Sequence, residues 1–137
     1  MKSKILALML LFAAGTLGAQ TKLTVEIRGI KEAKGQIMAA VFAENGFLKQ
    51  PVDAKIVKIE GETASVVFDK IAAGDYAVAV FQDTNENYRL EQGENGIPTE
   101  PWGFSNNFVP KTGAPTFFDL KFAVKPDEET VETITLR

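Results

Sequence analysis

GDYAVAVFQDTNENYRLEQGE, residues 74 to 94, begins as a strand and ends as a loop crowded with oxygen-bearing side chains. In its first half Tyr76, Val78 and Val80 fall on one face of an extended chain, and Ala77, Ala79 and Phe81 on the other. Both faces are apolar, so the strand belongs in the middle of a structure with cover on each side. The lead-in Ile71-Ala72-Ala73-Gly74-Asp75-Tyr76 is the kind of turn that opens a strand in sandwich domains.

Working upstream, Leu23, Val25 and Ile27 alternate with Thr24, Glu26 and Arg28, the period of a half-buried strand. Gln36 to Ala43 is a more apolar strand, after a charged turn from Gly29 to Gly35. Asn45-Gly46 and Pro51 mark a connection in which Phe47 and Leu48 form a short turn on the core. Lys55 to Glu60, with Ile56 and either Val57 or Ile59 inward, and Ala64 to Phe68 read as a hairpin around Gly61-Glu62. Downstream, residues 82 to 115 are irregular and rich in Asn, Gly and Pro. Then Thr116 to Val124 reads as a strand, and Val131, Ile134 and Leu136 line a last one. No stretch of ten residues after the leader carries a capped helical repeat. The pattern implies an all-β fold: an antiparallel β-sandwich of about seven strands with one long loop.

Residues 1–20 have the form of a secretory signal peptide. Lys2 and Lys4 are followed by an apolar run, Ile5 to Ala14, and then by small residues before Gln20. The run is shorter than the roughly 20 residues that span a bilayer, and no second apolar segment follows. The expected mature domain, 21–137, is therefore periplasmic or extracellular, without membrane insertion. Loss of Lys2 and Lys4 leaves 13 basic against 18 acidic residues, so the net charge moves from −3 to −5. An acidic domain without a basic cluster argues against nucleic acid. The sequence has no Cys and no His. Disulfides, Ser–His–Asp and Cys–His nucleophiles and ordinary zinc sites are all excluded. Beyond the leader the only Ser residues are Ser65 and Ser105, and neither lies in a GxSxG elbow.

Two clusters could carry function. Counted as a twelve-residue calcium loop, Asp83, Asn85, Asn87, Arg89, Glu91 and Glu94 occupy positions 1, 3, 5, 7, 9 and 12. A hard cation such as calcium needs several oxygens at close range, and alternate residues of a curled loop deliver them. Tyr88 stands where such loops carry Gly, and a strand precedes the loop in place of a helix. The other reading is that these Asp and Asn side chains cap turns. The second cluster is GIPTEPWGFSNN, residues 96 to 107. Its Trp102, Phe104 and Asn106 could bind a sugar ring or a peptide; alternatively, Trp102 and Phe104 plug an end of the sandwich and anchor the loop.

The blocks GQIMAAVF, GDYAVAVFQDTNENYRLE, GIPTEPWGFSNN and PTFFDLKFAV, in that order, closely resemble the DUF2141 family of small secreted bacterial proteins. The resemblance runs from about residue 23 to 137. It implies a secreted β-sandwich, transthyretin-like or Ig-like, and it brings neither an activity nor a family active site. Family members carry Gly after the second Asn, where this chain has Tyr88. The leading expectation is a non-enzymatic exported protein that binds a partner at the envelope or outside the cell through residues 83–107. A carbohydrate- or peptide-binding module centred on Trp102 and Phe104 is the alternative. A carboxylate-dependent hydrolase using Asp83, Glu91, Glu94 or Glu100 is the third.

Overall fold

A computed structural model describes residues 21–137, and the expected signal peptide lies outside the described residues. Among the described residues, eight strands form two facing sheets. They are β1 (Lys22–Arg28), β2 (Gln36–Phe42), β3 (Asp53–Lys58), β4 (Ala64–Phe68), β5 (Gly74–Asp83), β6 (Trp102–Phe104), β7 (Phe122–Val124) and β8 (Glu129–Thr135). The smaller sheet has the order β4-β1-β8; the larger runs β3-β2-β5-β6, with β7 also paired to β5. The expected β-sandwich is present, with one parallel pair, β1 with β8, in an otherwise antiparallel arrangement.

The core lies between the sheets. Leu23, Val25, Ile27, Val66, Phe68 and Ile134 project from one side, and Ile37, Ala39, Val41, Val78 and Val80 from the other. Period-2 alternation puts each set on a single face. One flank is closed by main-chain bonds, because Trp102 and Arg137 exchange N–H···O contacts of 3.1 and 2.8 Å. Here Gly103 is required by packing: a Cβ would sit 2.6 Å from Ile134 Cγ2. The opposite flank is bridged by Lys55, whose Nζ donates to the Val67 carbonyl of β4 at 2.6 Å. Tyr76 anchors the start of β5 by donating its hydroxyl to the Ala72 carbonyl at 2.8 Å, and burial raises the pKa of that hydroxyl.

Three local expectations are corrected. β3 and β4 do not form a hairpin: β3 pairs with β2 and β4 with β1, so the connection crosses from one sheet to the other. Ile56 points outward and is 46% exposed, while Val57 and Ile59 pack on the core. The segment from Thr116 opens with a helical turn, α1 (Phe117–Leu120), and only Phe122–Val124 is strand. Thr116 Oγ1 accepts from the Asp119 N–H, and the Asp119 carboxylate accepts from the Thr116 N–H, a reciprocal capping box.

Candidate functional site: an apolar groove and its loops

The outer face of the larger sheet can be read row by row from the strand register. One row is Ile56, Met38, Phe81 and Trp102, on β3, β2, β5 and β6. The next, about 7 Å away along the strands, is Ala54, Ala40, Ala79 and Phe104. A third brings together Phe42 and Ala77. The third row is covered. Ala77 is buried with Phe117 and Leu120 of α1, flanked by Phe47, Phe104 and Phe108. The Phe47 ring meets Phe42 and Phe117 edge-on at 6.1 and 5.8 Å.

The first two rows are not covered. They floor a groove of about 1150 Å³, lined almost wholly by apolar side chains. Three small residues in register, Ala54, Ala40 and Ala79, make the depression. Trp102 and Phe104, with ring centroids 5.4 Å apart, stand at its β6 end. The expected ligand residues Trp102 and Phe104 both line the groove, whereas Asn106 does not. The Asn106 amide instead donates to the Asp119 and Lys121 carbonyls at 3.3 and 3.1 Å, tying the chain to the end of α1. Nearby, Ser105 is fully buried: its hydroxyl donates to the Leu120 carbonyl at 2.6 Å and accepts from the Val78 N–H at 3.0 Å.

Two loops wall the groove. Residues 91–99 form a narrow finger, with Thr99 N–H donating to the Glu91 carbonyl at 2.9 Å and Gly93 N–H to the Ile97 carbonyl at 2.8 Å. The finger brings Ile97 and Pro98 to the groove, with Leu90 just before it, and Pro110, Ala114 and Pro115 of the second loop also line it. Ile97 is 63% exposed at the rim.

The oxygen-rich loop supports the finger from below. Asp83 is fully buried. Its Oδ2 accepts from Tyr88 N–H at 2.8 Å and from Gln36 Nε2 at 3.0 Å, and its Oδ1 from Asn87 N–H at 3.1 Å. These bonds hold Tyr88 at a φ of 65°, the left-handed conformation for which such loops use Gly. Gly35 packs against the same strand end; with φ of 76°, a Cβ there would lie 2.1 Å from the Asp83 carbonyl oxygen. Asn85 and Asn87 both donate their side-chain amides to Glu91 Oε1, Asn87 at 2.9 Å. The Arg89 N–H donates to Asn87 Oδ1 at 3.0 Å. Glu94 is apart from these, on the 3-10 turn Glu94–Gly96 at the tip of the finger. Among the described residues no group of three or more His, Cys, Asp or Glu side chains is placed to hold a metal.

Glu100 is the residue whose importance the sequence understates. It is buried, with Oε2 accepting from the Thr84 N–H at 2.9 Å and the Thr84 hydroxyl at 3.1 Å, and Oε1 from the Glu91 N–H at 3.1 Å. One carboxylate thus joins both ends of the oxygen-rich loop to the base of the finger. The only available signal is a lone acid between Thr99 and Pro101.

No curated protein and no solved structure shows a match to this chain. A family model described as an uncharacterized protein conserved in bacteria matches residues 25–132, and the chain therefore belongs to the DUF2141 family.

Proposed function

We propose that this is an exported, non-catalytic binding module that takes apolar ligands in the groove on the outer face of its larger sheet. The carrying observation is the uncovered apolar floor. Met38, Ala40, Ala79 and Phe81 lie on the same face as the buried Ala77, yet no part of the described chain seals them. Concave, mostly apolar sites with a few polar groups are the usual form of small-ligand sites. A sugar is a poorer fit, because few polar residues line the groove: Gln92 and Asn95, besides Lys55, whose ammonium is turned to the Val67 carbonyl of the other sheet. A carboxylate-based hydrolase is poorer still. Asp83 and Glu100 engage their oxygens with N–H and O–H donors of their own loops, so neither is free to meet a substrate.

The test uses the lone Trp of the chain as reporter. Titration of the mature protein with a neutral apolar probe, 1-dodecanol, is expected to change Trp102 emission saturably, and Ala79→Leu is expected to abolish the change. Unchanged emission up to the solubility limit of the probe would refute the proposal.

A further inference from the structure

Resting on that reading of the groove, we infer that the finger of residues 91–99 is a lid, which folds down on a bound ligand and lays Ile97 over it. The finger lines the groove without packing into it: Gln92, Asn95, Gly96 and Ile97 are all lining residues, and all are exposed. Ile97 is a large apolar side chain kept mostly in water at the edge of an apolar groove. Turned inward onto a ligand, it loses that contact with water, which is favourable. Turned inward over an empty groove, it meets no atoms and gains no dispersion contact. The ligand therefore favours the closed arrangement over the open one, which is what a ligand-driven closure requires.

The tip of the finger is tied only to itself. Among the described residues, the hydrogen bonds of its tip run from Gly93 N–H to the Ile97 carbonyl at 2.8 Å and from Gly96 N–H to the Gly93 carbonyl at 3.3 Å, beside the Gln92–Pro98 bridge. None of them reaches the sheet, α1 or the second loop. Gly96 adds backbone freedom, with a φ of 72° and open space around it. The base is fixed in contrast. Glu100 holds the Glu91 N–H together with Thr84, and Glu91 Oε1 takes the Asn85 and Asn87 amides. Thr99 grips the Glu91 carbonyl with both its N–H and its hydroxyl, at 2.9 and 3.2 Å. A pinned base under a free tip makes a hinge. Segments with exposed hydrogen bonds and few packed contacts move at little cost, and such loops gate ligand sites.

The test follows amide hydrogen exchange of the mature protein with and without saturating 1-dodecanol, occupancy being read separately from Trp102 emission. Exchange at Gly93, Asn95, Gly96 and Ile97 is expected to slow about tenfold or more on binding. Exchange at the Gly61-Glu62 turn, which does not line the groove, is expected to stay constant. Cleavage by a glutamyl endopeptidase after the exposed Glu94 should slow in parallel. Ile97→Ala should leave the urea midpoint in place and weaken dodecanol binding about tenfold. Saturable binding with unchanged exchange at the finger overturns the lid and leaves the groove in place, as does an affinity that Ile97→Ala does not alter. Absence of binding overturns the groove reading and the lid with it. Because the exchange comparison is made on the unaltered protein, it stands even if the variant folds poorly.

Discussion

The larger sheet has one outer face with two fates. Over Phe42 and Ala77 the chain folds back as α1 and its flanking aromatics, and the surface is dry. One strand-repeat away, over Ala40 and Ala79, the same sheet is bare and the groove begins. The strands, the pairing and even the alanines are shared. What differs is the cover: a capped helical turn, held by the Ser105 hydroxyl and the Asn106 amide, lies over one half only. Apolar residues on a sheet face therefore do not say whether they serve stability or binding; the connection that follows decides.

The sharpest way to break this comparison is to disturb the cover. Leu120 is fully buried, so Leu120→Ala should destabilise the fold by about 2–5 kcal/mol, read from urea unfolding. Ser105→Ala should cost about 1–3 kcal/mol by the same measurement, because it leaves the buried Val78 N–H without a partner. In the bare half an enlargement, Ala79→Leu, fills open space. Its expected effect on stability is within about 0.5 kcal/mol. A loss as large as that of Leu120→Ala would mean that the two halves are one core.

Much of this was legible in the sequence. The two apolar faces of Gly74 to Phe81 place β5 in the centre, and alternation assigns β1, β2 and β8. The helical turn was hidden because Phe117, Phe118 and Leu120 also suit a strand. The Thr116–Asp119 spacing is a capping signal, but it sits in a segment too short for helical periodicity to register. The Lys55–Phe68 pair resembled a hairpin because turn residues mark a reversal without saying whether the chain stays in one sheet. The groove could be glimpsed only in part. Trp102 and Phe104 stood out as an aromatic pair, whereas the alanine floor depends on register across four strands, which composition does not reveal. Glu100 could be named only as one of four spare carboxylates, since its structural role comes from Thr84 and Glu91, both distant in sequence.

The oxygen-rich loop offers the smallest expected effect. A weak calcium site, with Kd of roughly 0.1 to 1 mM, would stabilise the fold by about 0.4–1.4 kcal/mol at 1 mM calcium. We expect no shift in thermal unfolding on adding calcium, because Asp83 and Glu91 already accept hydrogen bonds within the loop. A reproducible rise of several degrees would reassign the loop as an ion site and sharpen its relation to the finger above it.

The difference between the two halves is read most directly by recording ¹H–¹⁵N spectra of the mature protein during titration with 1-dodecanol. Saturable shifts should gather at Met38, Ala40, Ala79, Phe81 and Trp102, with Ala77 and Leu120 still. Shifts confined to the smaller sheet, or none at all, would contradict a ligand site on the uncovered face.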